Sequence, residues 1–403
     1  MKLDAKVMEK AIGMLGLGYV CDSCLGRQFA KLIKNKTNKE RGRMIRDSLA
    51  AEYHARKIRA DPMNFLDYDY KESNTEKHLK CVLCENILEN LAKISEKPLR
   101  ELKKMDFRSF MIGVKMSDSL VMNEEKLWEK TGTEYCEPIK SEISREFAKA
   151  IIKGLGKKFD PNKPDVIIMF DVQRNEAEIF SNPLFVYGEY KKFVRGLPQT
   201  SSPKYKQTVE DIISRPLMRT AKAKGHVLHA QGREDREARC LAWRPFIIEL
   251  KQPLMRKLSL KEMESAINKS AKVKVARLHL SGRKKVAELK AQNPFKIYRV
   301  VVDFEAPVEK PERLRGIVGA IKQRTPNRIL GAKPDKTKHK KVKSIKWKRI
   351  NTKRYQFDIT VESGLYLQEL ITGDGGRTKP SVSQLLENQA HMKEFDLIGI
   401  KKG

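Results

Sequence analysis

Apolar and polar positions alternate most cleanly at Tyr355, Phe357, Ile359 and Val361, interleaved with Arg354, Gln356, Asp358 and Thr360. A period of two sends successive side chains to opposite faces, so this segment predicts a strand with one buried and one polar face. Phe295 to Phe304 reads the same way, and helices are predicted over Leu260 to Lys269 and Arg313 to Ile321. The C-terminal half, 206–403, is therefore expected to be an α+β domain around a mostly antiparallel sheet. Toward the N-terminus the period changes. Ile45, Leu49 and Tyr53 recur at i, i+4 spacing among Arg and Lys, and residues 1–105 read as largely helical. Phe110 to Met116 predicts a strand, Ile143 to Leu155 a helix and Val166 to Val172 a buried strand, which together suggest a small α/β module over 106–205. Gly, Pro and Ser cluster from Arg195 to Pro203, as in a linker, and are taken to close that module.

Length and charge narrow the function. A chain of 403 residues suits two or three domains, each with its own core. Lys and Arg number 83 against 51 Asp and Glu, and a formal charge of +32 calls for a polyanionic partner, with nucleic acid foremost. The basic residues concentrate between Lys333 and Arg349, which hold nine Lys or Arg, His339 and one acid, Asp335. That stretch reads as a basic loop gripping a substrate, with a solvated flexible insertion as the plain alternative. No apolar run approaches the ~20 residues of a membrane span, and the start of the chain lacks the apolar core and cleavage site of a secretory signal. The expectation is a cytoplasmic protein with no membrane partner. There is no heptad seam or obvious apolar interface, so a monomer without an obligate protein partner is the default.

Six cysteines are too few for a disulfide scaffold in a chain of this size, and four of them form two C-x-x-C pairs, Cys21 with Cys24 and Cys81 with Cys84. Two such knuckles supply the four thiolates of a tetrahedral structural zinc site, with no position left for a catalytic water. Reduced structural cysteines are the alternative. Cys136 and Cys240 have no partner in sequence and are assigned to the core.

Three segments of the C-terminal half carry chemistry that packing does not require. The first is Gly232-Arg233-Glu234-Asp235-Arg236-Glu237-Ala238-Arg239 with Arg244-Pro245-Phe246 behind it. Alone, it passes for a charged surface loop. The second is Lys296-Ile297-Tyr298 within a predicted strand, where a tyrosine is ordinarily core. The third runs from Gly364-Leu365-Tyr366 to Gly373-Asp374-Gly375-Gly376-Arg377-Thr378-Lys379-Pro380, a Gly-rich basic loop that is either a turn or a phosphate cradle.

Taken in order, these segments resemble the archaeal and eukaryotic synthases that make pseudouridine in the T-arm of tRNA. The likeness extends upstream, to Tyr187 through Thr200, similar to the segment closing that family's THUMP-containing accessory domain, and to the cysteine pairs, similar to its zinc-binding N-terminus. Coverage is essentially the whole chain. The resemblance implies the mixed sheet of pseudouridine synthases with a cleft across it, tRNA as substrate, uridines 54 and 55 of the T-loop as targets, structural zinc, and no organic cofactor. It gives the role of indispensable carboxylate to Asp235. It also places Arg233 at the cleft edge to hold the extruded nucleotide, sets Tyr298 against the target base, and adds Tyr366 and Arg377 as substrate-binding residues. One position departs from the family: where Ile and then Lys or Arg follow the Gly-x-Tyr, this chain has Leu367 and Gln368. Gln368 can hydrogen-bond Asp235 but cannot lower its pKa by charge, and Arg377 or Lys379 is the expected substitute cation. Glu237 also stands where Asp is common. Two rival readings are weighed: a catalytically weak or inactive tRNA- or rRNA-binding chaperone on the same fold, kept open by Gln368, and a THUMP-bearing methyltransferase or thiouridine synthase. The second would need a Gly-rich cofactor loop opening a βαβ unit, and none is found.

Overall fold

The computed structural model describes residues 4–68, 79–201 and 203–401; Ser202 of the expected linker lies outside them. The chain divides into two compact units, Met1–Asn182 and Pro183–Gly403.

In the first unit, helices Ala5–Leu15, Asp22–Arg27, Asn38–His54 and Ile87–Leu102 precede a four-stranded sheet flanked by helices Asp118–Thr131 and Ile139–Leu155. Its strands are β1 (Ser109–Lys115), β2 (Lys158–Phe159), β3 (Val166–Asp171) and β4 (Glu176–Ser181), in spatial order β2-β1-β3-β4. The β1 strand is parallel to both neighbours and β4 is antiparallel to β3. The predicted helix character and both predicted strands are present. One apolar cluster runs from Val7 to Val172, so the helical region and the α/β module share a core.

Local chemistry explains how the first helices meet. Thr37 opens helix Asn38–His54 with a reciprocal cap: its hydroxyl accepts from the Glu40 N–H at 3.2 Å, and the Glu40 carboxylate accepts from the Thr37 N–H at 2.7 Å. Ile45 and Leu49 are fully buried along one face of this helix. Helix Asp22–Arg27 crosses it at backbone contact, which only glycine permits. A Cβ on Gly26 would stand 1.9 Å from the Asn38 carbonyl oxygen, and one on Gly42 1.8 Å from that of Asp22.

The second unit is built on one sheet. Its strands are β5 (Leu184–Lys192), β6 (Gly225–Ala230), β7 (Arg239–Lys251), β8 (Val273–Ser281), β9 (Phe295–Phe304), β10 (Gly319–Arg324), β11 (Thr337–Arg349), β12 (Arg354–Glu362), β13 (Thr378–Lys379) and β14 (Ala390–Lys401). The spatial order is β13-β10-β11-β12-β9-β14-β7-β5-β8, with β6 on β7. Every pairing is antiparallel except β14 with β7, which is parallel and short, Asp396 opposite Arg239 and Leu397 opposite Cys240. The expected α+β class with a mixed, mostly antiparallel sheet is what the structure has. Separate apolar clusters lie on the two sides of that parallel join, one around Val300, Phe357 and Leu370 and the other around Val186, Ile213 and Ile248.

Three expectations need correction. The division falls at Asn182 rather than near 205, because β5 takes its hydrogen bonds from β7 and β8 and so belongs to the second sheet. Arg313 to Ile321 is not a helix. Leu314, Ile317 and Ile321 are buried at helical spacing, but the chain makes a 3-10 turn over Pro311–Ile317, passes Gly319 at φ +132° and continues as β10. Finally, most of the basic stretch is strand: Thr337–Arg349 is β11, paired with β10 over Thr337 to Val342 and with β12 from Val342 to Arg349, with Val342 fully buried. Lysines at the outward positions hid this strand from a reading by charge.

The Gly26 contact yields a graded expectation. Gly26→Ala should destabilise the first unit by about 1–3 kcal/mol, as overpacking does, while Gly13→Ala, in a helix interior with nothing within 4 Å of the added Cβ, should stabilise it by roughly 0.5–1 kcal/mol. Thermal unfolding of the two variants checks the contrast; equal shifts would contradict the backbone contact.

Candidate active site

Asp235 sits on the loop between β6 and β7, beside the parallel join of the sheet. The loop is held from beneath by its neighbour. Glu234 is buried, and its carboxylate receives the Tyr190 hydroxyl at 2.5 Å and pairs with the Lys192 ammonium at 2.8 Å. Lys192 is fully buried and also donates to the carbonyls of Leu197, Asp235 and Arg236, each at 3.1 Å. The Gln199 side chain accepts the Glu234 N–H at 2.8 Å, and Arg244 donates to the carbonyls of Gln231, at 3.0 Å, and Gly232. Burial pushes the Tyr190 phenol well above its ordinary pKa, with the Arg244 charge opposing and Glu234 reinforcing, so it remains a donor. A buried carboxylate is tolerable only with such partners, and removing one typically costs about 3–5 kcal/mol. Glu234 was legible in sequence only as one more charge of a surface loop.

With Glu234 turned inward, Asp235 turns outward. Its side chain is exposed, accepts the Glu237 N–H at 2.9 Å, and forms no ion pair among the described residues. Arg233 is likewise exposed. Arg236 is drawn aside by Glu237 at 2.6 Å and by the Tyr205 hydroxyl at 3.1 Å.

Tyr298 projects from β9 as a half-buried ring 6.2 Å from that of Phe395. Burial raises its phenol to about 12; Arg244 opposes this, and Cys240, Glu234 and Asp235 add to it. The phenol therefore shares an electrostatic neighbourhood with Asp235 and is neutral at physiological pH. Two residues earlier, on the same face of the strand, lies Lys296, which the sequence marks only as the first residue of the Lys-x-Tyr segment. It is 6% exposed, has no hydrogen bond or ion pair among the described residues, and approaches Gly232 so that a Cβ there would be 3.9 Å from its Nζ. Burial, then the Arg244 charge, lowers its pKa to about 8.

The third segment is clamped by a residue the sequence did not flag. Gln323 on β10, almost fully buried, accepts the Tyr366 N–H at 2.8 Å and donates to the Tyr366 carbonyl at 3.0 Å. Tyr366 starts helix Leu367–Thr372 and has the Lys338 ammonium 5.7 Å from its ring centre. Gln368 is exposed and makes no hydrogen bond to Asp235. Arg377 is not available as the substitute cation. It donates to the Thr325 carbonyl from Nε and Nη2 at 3.0 and 2.9 Å and pairs with Asp335 at 2.5 Å. Lys379 lies in β13, opposite Lys322. Cys240 is buried, as expected for a core residue.

In the other unit, Cys21, Cys24, Cys81 and Cys84 are all buried and their sulfurs lie within 4.8 Å of one another. Such a cluster could hold a metal ion. The Cys21 and Cys84 sulfurs are 3.6 Å apart, close to the roughly 3.8 Å edge of a tetrahedron with ~2.3 Å metal–sulfur bonds. A backbone N–H faces the cluster, that of Cys21, 3.3 Å from the Cys81 sulfur. Asn64 fixes the first knuckle by accepting the Val20 N–H at 2.9 Å, and Asn86 fixes the second by accepting the Cys81 N–H at 2.8 Å. Cys136 is buried apart from this cluster, bonded to Gln28 at 2.8 Å.

Lys296 has a readable pH signature. Its pKa is lower in the folded protein, about 8, than the ~10.4 of an unfolded lysine. Between those values the unfolded chain binds the extra proton, so this residue's contribution to stability rises with pH. Denaturant titrations from pH 7 to 10 should show that rise lost in Lys296→Met, which should also be at least as stable as the parent at pH 7.

A profile described as "Pus10, C-terminal" matches residues 185–401, and one described as "Pus10 THUMP domain, archaeal" matches 94–171. The tRNA pseudouridine synthase Pus10 of Methanothrix thermoacetophila is 33% identical over 427 residues, covering 98% of this chain and 94% of its own length. That of Pyrococcus furiosus is 33% identical over 399 residues, covering 98% of each. A solved Cbf5-Nop10-Gar1 complex is a distant likeness, at 17% identity and a TM-score of 0.31 over 52% of this chain and 47% of that one. The profile over β5 to β14 spans the sheet that carries Asp235, Tyr298 and Tyr366, the identity extends across nearly the whole sequence, and the chain belongs to the Pus10 family.

Proposed function

We propose that this chain converts uridine to pseudouridine in the T-loop of tRNA, at positions 54 and 55, with Asp235 as the acting carboxylate. The coarser part of this reading, an isomerase that makes pseudouridine in tRNA, follows from family membership and from the name its relatives carry. The role of Asp235 is supported by one observation: a carboxylate presented outward by a buried ionic anchor, in the electrostatic neighbourhood of a neutral tyrosine on β9; the T-loop positions rest on the family resemblance.

The reaction breaks the N1–C1′ bond, turns the uracil and joins C5 to C1′, with the C5 proton leaving as N1 gains one. Asp235 either attacks C1′ or removes a sugar proton to give a glycal. Extruding the uridine costs roughly a few kcal/mol. Phosphate contacts offset this, and β11 offers them through exposed Lys338, Lys341, Lys343, Lys346 and Lys348. Arg233 holds the nucleotide at the cleft edge, Tyr298 stacks on its base, and Tyr366 lies alongside. Arg377 contributes by keeping the Thr325 and Asp374 turns together rather than as a free cation. The THUMP module adds a second grip on the tRNA. Among the described residues no helix is long and apolar enough to cross a membrane, and the reaction needs no organic cofactor.

The four-cysteine site takes zinc in a structural role. All four ligand positions are sulfur, and in each knuckle an asparagine side chain bonds backbone beside a cysteine. Cys81→Ser should lower the zinc content measured by atomic absorption from one per chain and cost the first unit several kcal/mol of stability. Full zinc content in that variant would contradict the assignment.

The catalytic reading is tested by tritium release from C5-labelled uridine in an unmodified tRNA transcript. Asp235→Asn should abolish release while leaving tRNA affinity within about threefold of the parent. Mapping of the product should place pseudouridine in the T-loop; a modified base elsewhere would refute the positional assignment, and release surviving in the variant would refute the role of Asp235.

A further inference from the structure

Asp235 lacks an ion pair, yet its carboxylate must stay charged when a nucleotide fills the cleft and displaces water. Arg233 is left to the nucleotide at the cleft edge, and four other cations of the second unit are committed elsewhere. Lys192 and Arg244 support the loop from beneath, Arg236 leans on Glu237, and Arg377 is tied to Thr325 and Asp335.

Arg328 is different. It lies in the short 3-10 turn Asn327–Ile329 after β10, and this turn is pinned by the Asn327 N–H donating to Asp374 at 3.0 Å. Its Nε donates to Glu369 at 2.7 Å, and Glu369 is 3% exposed, with its other carboxylate oxygen buried and without a hydrogen-bond partner. The guanidinium is thus held by its inner edge, while neither Nη has a partner among the described residues and the side chain is 47% exposed. Of the carboxylates, Glu369 and then Asp235 act on it. A cation fixed at one edge and open at the other thus stands at the helix turn of Gln368, within electrostatic reach of Asp235.

We infer that Arg328, oriented by Glu369, is the positioning residue that supplies the positive charge opposite Asp235 in this chain, where residue 368 is an uncharged glutamine. The buried Glu369 carboxylate follows Gln368 directly, so the same helix turn that lacks the cation holds one delivered from the turn after β10. The guanidinium is planar, permanently charged and able to meet a carboxylate with both free Nη groups, which suits it to this task better than a lysine. The inference rests on Asp235 being the acting carboxylate.

Steady-state tritium release over a range of tRNA concentrations, measured from pH 5 to 9, tests it in R328Q, R328K, E369Q and the double variant R328Q/Q368R, with D235N alongside. R328Q should lower kcat at least tenfold with KM within twofold, and should move the acid limb of the rate profile to higher pH, because a carboxylate that loses its cation protonates more readily. Q368R in the R328Q background should restore most of kcat and return the limb, and E369Q should give a smaller loss in the same direction. If R328Q does not fold, R328K takes its place, expected to keep the limb where it is with kcat reduced less than tenfold; a moved limb in that variant overturns the inference. A normal kcat in R328Q, a loss confined to KM with an unmoved limb as for a phosphate contact, or failure of Q368R to rescue folded protein also overturns it. Turnover persisting in D235N removes the reading of Asp235 and this inference together, whereas an inactive D235N beside a normal R328Q removes the inference alone.

Discussion

The Glu234 carboxylate lies buried where the two halves of the second sheet join, between the Tyr190 hydroxyl and the Lys192 ammonium and within 3.8 Å of Arg244. Lys192 also gathers three main-chain carbonyls of the surrounding loops. An ion in such a place is expensive to desolvate, and the cluster persists because each charge finds a partner of opposite sign and additional hydrogen bonds. Its consequence is geometric. Once Glu234 faces in, the next residue along an extended segment faces out, and Asp235 is presented on a loop whose backbone is fixed at both ends.

The cleft depends on the sheet for the same reason. The β14–β7 pairing is parallel over only two residue pairs, and the loop bearing Asp235 opens beside it. At its margin Asp396 binds Arg239 through two bonds, at 3.0 and 2.6 Å, and meets Arg195 at 2.8 Å, so a second ionic cluster secures the strand starts on either side of the loop. Charge in this protein thus falls into two populations. One consists of buried or paired cations that shape the loop and are already satisfied. The other consists of cations with an open edge, among them Arg233, Arg328 and the outward lysines of β11, which suit a polyanion.

Much was legible before any coordinates. Period-two alternation located β9 and β12, the i, i+4 pattern located helix Asn38–His54, and the two C-x-x-C knuckles converge as one buried cluster. Misreadings arose where a local signal had two physical meanings. Leu314, Ile317 and Ile321 fit a helix by spacing, yet serve a turn and a strand. The lysines of β11 read as loop because charge was weighed above alternation. The Pro- and Ser-rich segment marked a turn beyond β5 rather than the boundary between units.

The sequence by itself determined most of the elements, the order of the three motif segments, the four cysteines that could hold a metal ion, and the family. These depend on residue type and short-range period, which backbone geometry converts directly into helix, strand or knuckle. Only the tertiary structure decided which charge meets which. Lys192 on β5 reaches Glu234 in the loop before β7, Arg244 reaches back to Gly232, Arg377 turns away to Asp335, and Arg328 comes to Glu369 from the turn after β10. Such pairings link residues far apart in the chain, and their energies depend on distance and burial, which no local pattern encodes.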